Sequence, residues 1–324
     1  MLCAMKEYTL GVDTSNYTTS ICLVSEGQIA KSVRRLLPVE KGQKGLRQSD
    51  ALFHHTSRLP SLAEELFEGF DHAHSKITCV GVSATPRDAE GSYMPCFLAG
   101  VSFASAICAS LGVPMYRFSH QRGHIKAAIH SCANSNIFEG VPFISFHVSG
   151  GTTEALLTTP LQNGYSCEII GGTNDASCGQ IVDRAGVLMG MNFPCGKELD
   201  ALSLESTKKL PNCVSMKDGY FSMSGLENKV MKFLAEGNDK SDIASFVFES
   251  IGEALKKSAV YLREKHGNLP ILFAGGVCAN TKIRHKLLQL ENTFFASTEL
   301  SSDNACGTAL LAYEKHYGKG RSDS

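Results

Sequence analysis

The chain has 324 residues, of which 43% are hydrophobic and 19% charged, and its formal net charge is −1. This composition is typical of a globular protein, and the absence of any apolar run of about 18 residues excludes a membrane span. A chain of this length exceeds one ordinary hydrophobic core, so we expect two domains.

The ends and the cysteines of the chain indicate its compartment. Residues 1–10 lack the long apolar stretch of a secretory signal, and the twelve cysteines are scattered singly without a Cys-x-x-Cys pair. We therefore expect a soluble, cytoplasmic protein whose cysteines are reduced and mostly buried.

The first half of the chain predicts a β-meander followed by alternating helices and strands. The meander begins with strands at Tyr8–Val12 and Thr19–Val24, which the polar turn Asp13–Asn16 separates, and Glu26-Gly27 turns toward a third. The elements that follow are a helix at Ala51–Phe70, a strand at Ile77–Ser83, a helix at Phe97–Leu111 and a strand at Val113–Phe118.

The second half repeats this plan from Pro142 onward. Its meander strands are Phe143–Val148, Glu154–Thr158 and Tyr165–Ile170, followed by a long helix at Asp242–Lys265, a strand at Pro270–Ala274 and helices at Lys282–Leu290 and Cys306–Tyr313. Such a repeat predicts two α/β lobes. We place the N-terminal lobe at residues 1–140, with residues 300–324 packing back on it, and the C-terminal lobe at residues 141–299.

One segment is basic enough to attract nucleic acid. Between Gln28 and Pro60 there are seven basic residues and only two acidic ones, although the whole chain is nearly neutral. A solvated basic face without any partner explains such a run equally well, so both interpretations stay open.

Two histidines four residues apart are candidate metal ligands. On a helix capped by Ser119, His120 and His124 project from the same face, whereas His130 lies about 80° away around the helix axis. Asp303, just before the last helix, offers a carboxylate to complete such a site, although an aspartate there is also a common helix cap. An isolated pair of this spacing also arises by chance.

Three glycine-containing segments are candidates for nucleotide contacts. Ser149–Thr152 follows a strand and can turn bare backbone amides toward a phosphate, and Gly275–Asn280 precedes a helix. Gly171–Asp175 leads into a further helix that carries Asp183, a possible acceptor for hydroxyl groups. Each segment taken alone is also explained as a structural turn.

Together and in this order, these segments resemble the TsaD family of tRNA threonylcarbamoyl transferases, formerly regarded as glycoproteases. The resemblance spans Leu10 to Tyr313. It implies an α/β fold of the actin-like ATPase superfold, with two ribonuclease H-like lobes around a central cleft.

The resemblance also implies a divalent metal, in the first place iron, with zinc or manganese compatible. The family's metal motif stands here as His120-Gln121-Arg122-Gly123-His124, and its third ligand is matched by Asp303 in Ser302-Asp303-Asn304-Ala305. Archaeal and eukaryotic relatives have a tyrosine where this chain has His147. Neutral imidazole is a better ligand than a phenol, so His147 is a candidate fourth ligand.

For the ligand, the resemblance implies ATP or an adenylate. No catalytic side chain is assigned, and Phe221–Leu226, which matches a family motif, is interpreted as structural. The residues implied to contact the nucleotide are His147, Val148, Ser149, Gly150, Gly151, Asp183, Gly196, Asp200 and Asn280.

Several positions depart from the family pattern and suggest a divergent paralogue. Tyr17 and Thr18 replace an acidic pair, Arg122 replaces an acidic residue in the metal motif, and Thr152 and Gln180 replace two further polar residues.

The leading hypothesis is transfer of threonylcarbamoyl from threonylcarbamoyl adenylate to N6 of a tRNA adenosine next to the anticodon. The implied partners are tRNA, through residues 28–60, and TsaB-like and TsaE-like proteins. The alternatives are a nucleotide- and metal-binding regulatory or scaffold protein, and carbamoyl or phosphoryl transfer to a small molecule. A metallopeptidase is disfavoured because the His-Glu-x-x-His pattern is absent.

Overall fold

In the computed structural model the described residues are 5–15, 17–38, 46–161, 164–212, 214–297, 299–300 and 305–318. They form an α/β protein that divides into two compact units. One comprises Met1–Ser131, Leu161–Ser166 and Ser302–Ser324, and the other Cys132–Pro160 and Cys167–Ser301. Across the described part of the chain, no helix has both the length and the apolar character needed to span a membrane.

The first sheet contains five strands in the order β3-β2-β1-β4-β5. The strands β1, β2 and β3 form an antiparallel meander, while β4 runs parallel to β1 and β5 parallel to β4. The bounds are β1 Lys6–Asp13, β2 Thr18–Ser25, β3 Gln28–Leu36, β4 Ser75–Thr85 and β5 Met115–Ser119.

In its described residues the first unit has the helices α1 (Gln48–Phe67), α2 (Phe97–Leu111), α3 (His120–His130) and α9 (Cys306–Tyr317). Glycines in two strands let α9 lie directly on the sheet. A Cβ added at Gly11 would lie 2.5 Å from the carbonyl oxygen of Ala305, and one added at Gly81 would lie 2.5 Å from that of Thr308. Only a residue without a side chain permits this approach.

The second sheet repeats the arrangement with seven strands in the order β12-β11-β6-β7-β8-β10-β9. β7 is antiparallel to β6, and β11 and β12 continue the sheet in parallel on the other side of β6. The bounds are β6 Phe143–Val148, β7 Thr153–Leu161, β8 Gly164–Thr173, β9 Met216–Lys217, β10 Tyr220–Phe221, β11 Ile271–Ala274 and β12 Thr293–Phe295.

The core of the second unit forms around a long helix, α7, which buries aromatic and aliphatic side chains along its length, among them Phe246, Ile251 and Leu262. The helices are α4 Cys178–Leu188, α5 Gly196–Ser203, α6 Ser224–Ala235, α7 Lys240–His266 and α8 Thr281–Leu287.

The predicted strands and helices are present in the described residues, and the repeated meander is confirmed. Several boundaries are wrong by three or four residues. The first helix is Gln48–Phe67 and not Ala51–Phe70, α8 ends at Leu287 and not at Leu290, and α9 continues to Tyr317, beyond Tyr313. The chain turns before β12 through Asn292, which adopts a φ of 48°. None of the ten described cysteines forms a disulfide, and most of them are buried.

Candidate functional site

The histidine pair lies in the first turns of α3, directly after β5. Ser119 caps the helix, since its Oγ accepts a hydrogen bond from the N–H of Arg122 at 3.3 Å. One turn of helix separates His120 from His124, and their ring centroids are 4.2 Å apart. The predicted cap and the shared helix face are therefore confirmed.

A buried carboxylate holds the first histidine. Asp13, at the end of β1, is 1% exposed, and its Oδ2 lies 2.9 Å from Nδ1 of His120. In the sequence Asp13 appears only as part of a polar turn. No local pattern reveals its partner, because 107 residues separate the two positions.

Arg122, at the position where the family has an acidic residue, is engaged in an ion pair. Its Nε lies 2.6 Å from Oδ2 of Asp88, and Ser119 donates to the same oxygen at 2.9 Å. Arg122 therefore links the start of α3 to the loop after β4.

The other two predicted metal ligands are Asp303 and His147. Asp303 is outside the described residues, and His147 is in β6 of the second unit, directly opposite Glu154 of β7. Searched over the described residues alone, the chain contains no group of three or more histidine, cysteine or acidic side chains placed to hold a metal ion.

The predicted phosphate turn follows β6. Ser149 closes it, because its N–H donates to the carbonyl of Thr152 at 2.8 Å and its Oγ accepts from the N–H of Thr152 at 3.2 Å. A Cβ added at Gly150 or Gly151 would meet no atom of the described residues within 4 Å. The tip of the turn therefore has open space on the side where a ligand can approach.

The start of α4 packs closely against this turn. Ser177 donates from its Oγ to the carbonyl of Gly150 at 2.7 Å, and a Cβ added at Gly179 would lie 2.5 Å from the Cα of Gly150. Gln180 completes a capping box with Ser177. Gln180, one of the residues that depart from the family pattern, thus stabilises the helix that supports the turn.

A third backbone segment reaches the same strand end. Gly275 has a φ of 101°, and a Cβ added there would lie 2.2 Å from the carbonyl oxygen of Val148. The turn after β6, the N-terminus of α4 and the loop after β11 therefore converge at one end of β6. Converging backbone amides and a helix N-terminus favour the binding of an anion.

Asp183 lies in the second turn of α4, as predicted. Its Oδ1 accepts a hydrogen bond from the N–H of Cys195 at 2.8 Å, and the side chain is half-buried. Burial raises the pKa of the Asp183 carboxyl, and the hydrogen bond from Cys195 partly opposes that rise.

Asp200 and Asn280 form a pair. Nδ2 of Asn280 donates to Oδ1 of Asp200 at 2.5 Å, while Oδ1 of Asn280 caps α8 by accepting from the N–H of Ile283 at 3.0 Å. Burial raises the pKa of Asp200. Both the oxygen and the nitrogen of the Asn280 amide thus make hydrogen bonds within the protein.

Gly196 is the first residue of α5. A Cβ added there would have no described atom within 4 Å.

Asp175 is a residue whose role the sequence did not reveal. It accepts hydrogen bonds from the backbone N–H groups of Met223 at 2.9 Å and Ser224 at 3.0 Å and from the hydroxyl of Ser222. Burial by itself raises the pKa of Asp175, but these hydrogen bonds outweigh it and lower the pKa. The segment 221–226 therefore has the structural role predicted for it, with Asp175 as its anchor.

The basic segment lies mainly on β3 and α1. Lys31 donates to the carbonyl of Glu65 at 2.6 Å, and Arg35 pairs with the carboxylate of the same residue at 2.5 Å. Two apolar side chains of this segment are strongly exposed, Leu36 at 74% and Phe53 at 66%. Part of the positive charge is thus compensated within the protein.

Comparison with known proteins agrees with this architecture. A Clostridium difficile protein described as the activator of 2-hydroxyisocaproyl-CoA dehydratase has a similar fold, with a TM-score of 0.53, 16% identity and coverage of 98% of both chains. The ROK hexokinase of Thermus thermophilus aligns over 96% of this chain and 99% of its own, with a TM-score of 0.51 and 14% identity. These similarities confirm the actin-like ATPase fold.

At the level of sequence, tRNA N6-adenosine threonylcarbamoyltransferases match nearly the whole chain. The Thermosipho africanus enzyme is 29% identical over 96% of this chain and 94% of its own, and a Thermus thermophilus enzyme is 27% identical over 95% and 93%. The family model of the TsaD proteins, tRNA N6-adenosine threonylcarbamoyltransferase, matches residues 38–310. By this match the chain belongs to the TsaD family, a family of acyltransferase enzymes.

Proposed function

We propose that this protein transfers a threonylcarbamoyl group from threonylcarbamoyl adenylate to N6 of a tRNA adenosine next to the anticodon. The observation that carries the proposal is the convergence of three backbone segments at the end of β6, in a chain of this family. The N6 amine attacks the carbamoyl carbonyl carbon and a C–N bond forms. The bond from that carbon to the adenylate phosphate oxygen breaks, AMP leaves, and N6 gives up one proton to water.

In this proposal the open turn holds the phosphate that leaves. Backbone N–H groups at Gly150 and Gly151 stabilise the negative charge that the adenylate takes up as the bond breaks, an effect that requires fixed donors. Contacts of the turn with Ser177 and Gly179 provide that rigidity. Val148, Gly196, Asp200 and Asn280 shape the rest of the nucleotide site.

The metal part of the proposal uses His120, His124, Asp303 and His147 as ligands. The pair on α3 fits this role, because two imidazoles with ring centroids 4.2 Å apart can share one ion. Imidazoles and a carboxylate suit iron, zinc and manganese, with iron the first choice by resemblance. When bound, the ion polarises the carbamoyl carbonyl.

For the partners, we propose that tRNA binds through residues 28–60 in the cytoplasm and that TsaB-like and TsaE-like proteins assist the enzyme. The exposed ring of Phe53, in the same segment as seven basic residues, supports an RNA contact, since aromatic rings stack on unpaired bases.

The decisive experiment is nucleoside analysis of tRNA from cells with and without this gene, in a background that lacks other family members. Threonylcarbamoyladenosine should be present only with the gene. Its absence in both, for a protein that still binds adenylate, would favour a regulatory paralogue. Two residues that depart from the family pattern favour this second function, because both make contacts that stabilise the fold. Arg122 forms an ion pair with Asp88, and Gln180 completes the capping box of α4.

Asp183→Ala should weaken adenylate binding by about 1–3 kcal/mol, the cost of removing a hydrogen-bond partner of a ribose hydroxyl. Titration calorimetry measures this loss. Affinity of the unchanged protein should also fall as the pH drops toward the raised pKa of Asp183, because the protonated carboxyl is a poorer acceptor. The matched control is Glu227→Ala. Glu227 is on α6, and its replacement removes only an ion pair at the surface with Arg184, which is the neighbour of Asp183 on α4. Equal affinity in all three proteins would move the ribose contact to another residue.

His147→Ala should weaken metal binding by about 10–100-fold, whereas His147→Tyr should retain much of the affinity, since a phenolate can also ligate. Competitive chelator titration compares the three proteins. If the side chain only supports the β6–β7 pair, the alanine variant would lose stability but bind metal normally, and His147 would not be a ligand.

A further inference from the structure

The contact between β1 and α3 places a buried carboxylate on one nitrogen of a candidate metal ligand. Oδ2 of Asp13 lies 2.9 Å from Nδ1 of His120, and the side chains are 1% and 12% exposed. A carboxylate only accepts hydrogen bonds, so Nδ1 of His120 carries the proton and the lone pair is on Nε2.

Both partners of this hydrogen bond are held by their surroundings. The second oxygen of Asp13, Oδ1, accepts from the N–H of Ser15 at 2.9 Å, which fixes the plane of the carboxylate. On the other side, His120 is the first residue of a helix whose cap, Ser119, is 1% exposed. The ring of His120 therefore has little freedom to rotate away from Asp13.

We propose that Asp13 is a positioning residue, which sets the tautomer and the orientation of His120 so that Nε2 is the nitrogen presented to a divalent metal. This inference rests on the metal site of the proposed function. A carboxylate that accepts from the second nitrogen of a metal-binding histidine orients the ring and makes its lone pair a stronger donor. The residue acts through His120 and is itself no ligand.

The structure explains why an aspartate serves here. Asp13 ends β1, and the glycine at position 11 lets α9 press against the same strand. The strand end is therefore a rigid base from which a short side chain reaches the ring.

Nitrogen-15 NMR of histidine-labelled, metal-free protein at alkaline pH measures the tautomer directly. His120, identified by the signal lost in His120→Gln, should be protonated on Nδ1 in the unchanged protein. In Asp13→Ala it should shift toward the Nε2-protonated tautomer. Asp13→Asn keeps an acceptor of the same shape and should keep much of the Nδ1-protonated form.

Chelator competition with Zn²⁺ gives the second readout. Affinity should fall by about 10–100-fold in Asp13→Ala and by less in Asp13→Asn, because the neutral amide polarises the ring less. The control is Asp242→Asn, another buried aspartate that accepts backbone hydrogen bonds, from Thr207 and Lys208, in the second unit. It should change neither tautomer nor Zn²⁺ affinity.

The two readouts separate failure of this inference from failure of the proposed metal site. An unchanged His120 tautomer in Asp13→Ala, or Zn²⁺ affinity in Asp13→Asn equal to that of the unchanged protein, would overturn the role of Asp13 while the metal site stands. The asparagine variant decides this even if the alanine variant does not fold. Absence of Zn²⁺ binding by the unchanged protein would overturn both.

Discussion

Replacement of both His120 and Asp303 by alanine should abolish metal binding. Each substitution removes one proposed metal donor, and such a loss typically weakens metal binding by about 10–100-fold. Because the two donors share one ion, their losses are not independent, and we expect the double variant to bind metal more weakly than either single variant. At micromolar protein, such a loss empties the site. Metal content measured by plasma mass spectrometry after dialysis should fall from one ion per chain to background.

The stability of the variants needs its own control, because removing His120 leaves the buried carboxylate of Asp13 without the hydrogen bond it now accepts. This change costs about 1–3 kcal/mol in addition to any metal effect. Asp303→Ala alone avoids it. His130→Ala, which removes a histidine from the other end of α3, should leave the metal content unchanged. One ion per chain in the folded double variant would refute the assignment.

Gly307→Ala should destabilise the first unit by about 3 kcal/mol or more, since overpacking at a rigid contact forces the backbone to move. A Cβ at this position in α9 would lie 1.8 Å from the carbonyl oxygen of Gly123 and 2.9 Å from the N–H nitrogen of Ala127. Both atoms are backbone atoms of α3, so no side chain can rotate away. The two helices must separate.

Because α3 carries both histidines, this separation should also weaken metal binding. Urea denaturation at fixed protein concentration measures the loss of stability. Gly225→Ala is the matched control, since Gly225 lies in α6 and no described atom is within 4 Å of the added Cβ. This variant should be neutral or stabilised by about 0.4–1 kcal/mol. A Gly307→Ala variant as stable as the unchanged protein would mean that the two helices pack less closely than described.

The strands and helices and their order could be predicted from local sequence patterns. Alternating apolar residues predicted the strands of both meanders, and helical spacing predicted α1, α2 and α7, because burial of one face imposes a period on the residues themselves. The same local logic predicted that Ser119 caps α3 and that His120 and His124 share a face. Ordered motifs along the chain also identified the family, since each is short and contiguous.

Only the tertiary structure decided which distant residues meet. The pairing of Asp13 with His120 joins positions 107 residues apart, and that of Asn280 with Asp200 joins positions 80 residues apart. Sheet order and helix packing bring these side chains together, and neither is encoded in a local period. The role of Arg122 depended on Asp88 in the same way. A hydrogen bond between two elements depends on how the whole chain folds. The sequence pattern of one helix or strand does not show which residue of another element its side chains will meet.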